Sequence, residues 1–192
     1  MTLFECDNGD GLVLKLMDYG ATIVAVECPD GHGQRDNICL GFETLDSYLN
    51  RHPFFGSTVG RYCNRIAQGR FALDGNSYQL ATNDTPNHLH GGNVGYDQFV
   101  WNAETIENRD AVGVRFEHAS ADGDEGFPGS LQVAATYTVN IENELRIEFT
   151  AQSDAATPLN LTNHAYWNLG GQAAGSILEH RLELNCDHRF MV

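Results

Sequence analysis

Basic residues are scarce in this 192-residue sequence: 11 lysines and arginines stand against 26 aspartates and glutamates, for a net charge of −15. Nucleic acids and anionic membranes both need a basic footprint, so this balance argues against either as a partner. Long apolar runs are missing as well. No stretch approaches the roughly 18 consecutive apolar residues that read as a membrane helix. The cysteines, at positions 6, 28, 39, 63 and 186, are odd in number and form no C-x-x-C pair. That excludes a zinc ribbon and indicates no disulfide framework. The partly apolar surroundings of Cys6, Cys28 and Cys39 suit buried free thiols. Met1 leads straight into TLFECDNGDG, which has none of the apolar core of a secretory signal. The expectation is a soluble protein in a reducing, cytoplasmic setting.

Helical patterning is also sparse. Only residues 44–51, TLDSYLNR, look helical, with Thr44 placed to cap and Leu45, Tyr48 and Leu49 on one side. Elsewhere the apolar period is two. LQVAATYTV at 131–139 puts Leu131, Val133, Ala135, Tyr137 and Val139 on one face, and ELRIEFT at 144–150 does the same with Leu145, Ile147 and Phe149. The NIEN between them predicts a hairpin. The DG of GRFALDGNSYQL, residues 69–80, predicts a second. VGVRF at 112–116 alternates too, and GLVLKLM at 11–17 and ATIVAV at 21–26 read as buried strands around Asp18-Tyr19-Gly20. Many short strands joined by Gly- and Asn-rich turns predict an all-β sandwich or barrel. No repeat, linker or low-complexity tract divides the chain, so residues 1–192 read as a single domain; a chain near this size buries roughly 70% of its unfolded surface. Residues 180–192, HRLELNCDHRFMV, alternate as a further strand and stop on Phe190, Met191 and Val192. A sheet ending there would leave an apolar edge unpaired. The expectation is therefore a fold truncated at the C-terminus, the front part of a longer protein.

Four stretches combine polarity, glycine and aromatic rings in a way that core packing does not require. GRYCNRI, within 56–66, carries Arg61, Asn64 and Arg65, whose fixed donors suit the hydroxyls of a polyol. An arginine paired with one of the many carboxylates is the plainer reading. PNHLHGG, at 86–92, would put His88 and His90 on one face of a strand. A metal could sit on such a pair, but no third ligand follows before Asp97. DGDEGFPGS, at 122–130, resembles a calcium loop for three letters only. Its sixth position is Phe127 instead of glycine and its twelfth is Val133, so a rigid acidic turn is expected. NLTNHAYWNLGG, at 160–171, packs Asn160, Asn163, His164, Tyr166, Trp167 and Asn168 into nine residues. Sugars offer hydroxyls at the edge and C–H patches on the face, so amides beside rings suit them. An imidazole among these can give or take a proton near neutrality.

GRYCNRI, PNHLHGG, DGDEGFPG and TPLNLTNHAYWNLGG, in this order and after LKLMDYGATIVAVECPD, resemble the aldose 1-epimerases, or galactose mutarotases, over essentially the whole chain. The resemblance implies a large antiparallel β-sandwich of the galactose mutarotase type with an open cleft for a hexose. It implies interconversion of the α and β anomers of free aldoses such as galactose and glucose, with no cofactor and no metal. By its motifs, His164 would protonate the ring oxygen, His90 would hydrogen-bond the substrate, and Asn64 and Arg65 would bind sugar hydroxyls. The family's base, a glutamate, and a sugar-binding aspartate lie far toward the C-terminus, and no position among these 192 residues matches them. The isolated chain is therefore expected to turn over little, with a sugar-binding module that performs no catalysis as the alternative. The expected partner is a small aldohexose. Oligomeric state and preferred sugar are not legible.

Overall fold

The period-two stretches become two four-stranded antiparallel sheets in the computed structural model, which describes residues 1–9, 11–50 and 52–188. The first sheet runs in chain order through Leu3–Asp7, Val13–Met17, Thr22–Pro29 and Arg35–Asn37. The second runs through Asn102–Glu107, Ala111–Ser120, Leu131–Asn140 and Leu145–Ser153. Leu14, Leu16, Ile23 and Val26 from the first sheet share one buried cluster with Val114, Phe116, Leu131, Val133, Ala135, Tyr137 and Val139 from the second. This is the sandwich that the alternation predicts. Burial of each such side chain stabilises the fold by about 1.5–3 kcal/mol.

The two predicted hairpins form. Leu131–Asn140 pairs with Leu145–Ser153 from Leu131↔Ser153 to Val139↔Leu145. The Asn140 carboxamide oxygen holds the turn by accepting from the backbone N–H groups of Glu142 and Glu144. Arg70–Leu73 pairs with Asn76–Gln79, and Asp74 and Gly75 take φ of 50° and 78°. A two-residue hairpin needs positive φ at both central positions, and Asp-Gly supplies it.

Two expectations fail. The helix is only Leu45–Leu49, and Thr44 makes no side-chain cap; its Oγ1 lies 3.1 Å from Ser47 Oγ instead. Five residues cannot carry a full apolar stripe, so Tyr48 is buried while Leu45 and Leu49 are exposed. Residues 181–186 form no strand and are exposed. Alternation makes a strand only where a neighbouring backbone completes the ladder, and none of the described strands pairs with this segment. The expected apolar stop at Phe190, Met191 and Val192 lies outside the described residues.

Short two-stranded pairs carry the chemistry-bearing motifs. Thr58–Val59 pairs with Thr162–Asn163, and Arg65–Ile66 pairs with His88–Leu89. The first pair is fixed to the second sheet by Tyr137, whose fully buried hydroxyl lies 2.7 Å from Thr58 Oγ1 and donates to Ala21 O at 2.9 Å. Asn163 Nδ2 reaches the same hydroxyl at 3.3 Å. Burial pushes the Tyr137 phenol up to about 12, so it stays a neutral hydrogen-bonding group.

Candidate active site

His164 follows its two-residue strand directly. Its backbone N–H donates to Ser57 O at 2.8 Å, and its carbonyl accepts from Gly56 N at 3.1 Å. Gly56 has a φ of 66°, and a Cβ there would fall 1.9 Å from Ile23 O. Only glycine allows this crossing of the two segments. Asn163 holds the next turn, with Nδ2 donating to Gly56 O at 2.6 Å and Oδ1 accepting from Ala165 N at 3.0 Å. Asn168, 2% exposed, accepts from Gly170 N and donates to Gly175 O. Both amides therefore tie the backbone. The sequence suggested that they would face a sugar.

His90 arrives from the other pair. The strand expected through His88 and His90 stops at Leu89, because His90 turns to a φ of 52°. The two histidines consequently have different surroundings. His88 is fully buried, with Nδ1 2.9 Å from Ala81 O and its ring against Phe127. Among the described residues no group of three or more His, Cys, Asp or Glu could hold a metal ion. His90 meets His164 instead. Their ring centroids are 5.1 Å apart and the planes are nearly perpendicular at 89°. Phe54 completes the group, 4.7 Å from His90 and 5.6 Å from His164. Tyr166 packs at 5.1 Å from His164 on another side.

Asn64 and Arg65 border this group. The Asn64 backbone N–H donates to His90 Nδ1 at 3.0 Å, which leaves the proton of the neutral ring on Nε2. Arg65 Nε donates to Asp84 Oδ2 at 2.7 Å, and its Nη1 lies 3.4 Å from Asn64 Oδ1. The plain ion pair is thus real at Arg65, which still keeps 39% of its side chain exposed. Arg61 is different from both readings of it. It is 2% exposed and donates to backbone carbonyls and hydroxyls of the 120–129 region and Thr157. Phe54, Asp84 and Asn83, whose side chain bonds Leu89 and Gly92 beside His90, were not singled out from the sequence. Nothing in a Phe-Phe pair or an Asn-Asp pair marks one member as facing a histidine.

Electrostatics fit the geometry. Burial, with the neighbouring His164 and Arg65 adding to it, pushes the His90 imidazole down to about 4. It is therefore neutral at pH 7, with Nε2–H free to donate. A cavity of about 360 Å³ adjoins the pair without either histidine lining it. Phe54, Asp84 and Leu89 line it together with Tyr19, Tyr48 and Asp97.

The depressed His90 value gives a testable pH dependence. An unfolded imidazole takes its proton below about 6.5, while folded His90 waits until about 4. Its stabilising contribution is thus present above pH 6.5 and is lost as the pH falls toward 4, by as much as about 3 kcal/mol. Asp97 acts in the opposite direction, because burial holds its carboxyl up at about 6 and the folded state gains protons first. Comparison with His90→Gln isolates the histidine. Urea midpoints at pH 7.5 and 4.5 should differ by less in the variant than in the parent chain; equal differences would mean that His90 is not held neutral.

The β-sandwich brings two histidines, an amide and an arginine to one aromatic-walled site. The chain belongs to the aldose 1-epimerase family, whose sequence profile matches residues 2–192. It is 44% identical over 180 residues to galactose mutarotase of Sus scrofa, covering 94% of this chain and 51% of that protein. It is 36% identical over 185 residues to aldose 1-epimerase of Escherichia coli strain K12, covering 96% and 52%. Among solved structures, an aldose epimerase homologue from C. elegans superposes with a TM-score of 0.79 at 37% identity, over 87% of this chain and 50% of that one. Galactose 1-epimerase from Lactobacillus acidophilus NCFM gives 0.79 at 34%, over 88% and 49%. The chain spans about half the length of the relatives it matches.

Proposed function

We propose that the protein interconverts the α and β anomers of free aldohexoses, and that His90 and His164 face the sugar. The observation that carries this reading is the perpendicular histidine pair over Phe54. Opening a cyclic hemiacetal takes two proton movements. A base removes the C1 hydroxyl proton while an acid protonates the ring oxygen; the aldehyde face rotates, and closure reverses both steps. In this reading His164 gives its proton to the ring oxygen and takes it back at closure. Neutral His90 donates Nε2–H to a substrate hydroxyl, and Asn64 and Arg65 hold further hydroxyls. Asp84 supports that role by pinning the Arg65 guanidinium. The base is the glutamate that the family resemblance puts in a segment without a counterpart among these 192 residues. The whole 1–192 stretch is one sandwich domain in this proposal. Five free thiols are consistent with a cytoplasmic setting, and among the described residues no helix is long and apolar enough to cross a membrane.

Polarimetry from pure α-D-galactose, with the chain at micromolar concentration, tests the reading. The expected result is a rate close to the blank for residues 1–192 and fast decay of rotation for the whole protein. Fast decay with the chain alone would put a base within these residues. A whole protein that binds galactose without accelerating decay would make this a sugar-binding module.

A further inference from the structure

The acidic stretch DGDEGFPG takes no part in the chemistry above, yet its central glutamate touches the loop that aims His90. After Leu89 the chain turns through His90, Gly91 and Gly92 with φ of 52°, 93° and 118°. Such a turn has no helical or strand ladder of its own, so other groups must hold it. On one side Asn83 does so: Oδ1 accepts from Leu89 N at 2.8 Å, and Nδ2 donates to Leu89 O and Gly92 O. On the other side Glu125 reaches across from a turn 32 residues further along the chain. Its Oε2 accepts from Asn93 N and its Oε1 from Val94 N, both at 3.0 Å. One carboxylate thus closes two successive amides through charge-assisted hydrogen bonds.

The fit is close. A Cβ on Gly92 would lie 2.1 Å from Glu125 Oε2, and a Cβ on Gly91 would lie 1.8 Å from Gly60 O. Both glycines of the LHGG motif are therefore required where the loop is clamped. The clamp has its own foundation. Glu125 sits at a φ of 48° in the 124–126 turn. Its neighbour Asp124 accepts from Ser120 Oγ at 2.5 Å, and Ser120 Oγ in turn accepts from buried Arg61 at 2.6 Å. The acidic turn thereby connects the GRYCNRI stretch to the His90 loop.

We infer that Glu125 is a positioning residue for His90: its carboxylate fixes the glycine loop and so keeps the imidazole against Phe54 and His164. The inference rests on the proposed role of His90 for its meaning, but its structural content can be read without any activity. The charged and titratable groups that bear on the His90 ring are His164, Arg65, Asp84 and His88, and none of these is altered in the test.

Glu125→Gln keeps the shape but presents an NH2 group to one of the two amides; Glu125→Ala removes both bonds. In 15N- and 13C-labelled chain, amide exchange at Asn93 and Val94 should speed up by about tenfold in Glu125→Gln, with Val133 and Tyr137 unchanged. The His90 titration, assigned with His90→Gln, should climb from its low value toward the ordinary 6.5 or so of a hydrated imidazole. An unchanged His90 titration together with unchanged contacts to Phe54 would overturn the inference. Should Glu125→Ala fail to fold, Glu125→Gln decides. In the whole protein, Glu125→Gln should lower kcat/KM about tenfold, with a raised KM because His90 holds a substrate hydroxyl, and should add under about twofold in a His90→Ala background. Equal effects in both backgrounds would mean that Glu125 does not act through His90. A whole protein without mutarotase activity would remove the proposed function and leave the exchange and titration readouts standing.

Discussion

Changing His164 to alanine should slow anomer interconversion by the whole protein by about 10²–10⁴, the usual weight of one matched proton-transfer group. The variant should stay folded. His164 is half-buried, and the bonds that fix its position are backbone bonds to Ser57 and Gly56 that alanine retains. Its ring packs against His90, Phe54 and Tyr166, so truncation opens space at the site without leaving a buried polar group unpaired. The loss should appear in kcat, because the proton to the ring oxygen is needed in the transition state more than in the bound sugar. The measurement is optical rotation against time from pure α-D-galactose, with circular dichroism to confirm folding. A folded variant that keeps more than about a third of the parent rate would take the acid role away from His164.

The sandwich was legible because its strands are amphipathic. Leu131, Val133, Ala135, Tyr137 and Val139 alternate in sequence and are all buried in the second sheet, and the Asp-Gly turn at 74–75 adopts the φ values its chemistry favours. Residues 180–186 alternate equally well but form no strand. Periodicity records which face would be buried and is silent on whether a partner backbone is present. The histidines His90 and His164 were legible through their motifs, and the structure brings them together from segments more than 70 positions apart. What local pattern could not show is which polar side chains face outward. Asn163 and Asn168 look like sugar ligands and instead bind backbone. Glu125 looks like a member of a solvated acidic turn and instead clamps the His90 loop. These assignments depend on tertiary neighbours, which no spacing rule encodes.

Arg61→Met should cost about 3–5 kcal/mol, the usual penalty for emptying a buried charged site whose two terminal nitrogens are hydrogen-bonded. The guanidinium donates from Nη1 to Gly129 O at 2.7 Å, Pro128 O at 3.0 Å and Thr157 Oγ1 at 3.3 Å. From Nη2 it donates to Ser120 Oγ at 2.6 Å and Ala121 O at 3.1 Å. Methionine roughly matches the aliphatic stem, but it removes the guanidinium that lies over Phe127 and leaves the carbonyls of Ala121, Pro128 and Gly129 without this donor, the last of them buried. Arg61→Lys should recover only part of the loss, because one ammonium cannot span acceptors on both sides of a planar fork. With total stabilities of about 5–15 kcal/mol typical of single domains, Arg61→Met should move the urea midpoint of tryptophan fluorescence sharply downward; a midpoint equal to that of the parent would mean that these bonds do not hold the 120–129 region. The same change should also disturb the proposed activity, since Arg61 donates to Thr157 Oγ1, three residues before the His164 stretch begins at Asn160. Loss of activity at Arg61 therefore carries no information on sugar binding. Asn64→Gly is the informative comparison: Asn64 is exposed, glycine tolerates its φ of 65°, its backbone N–H still reaches His90, and a raised KM with an unchanged urea midpoint would separate the ligand-facing member of GRYCNRI from the one that holds the fold.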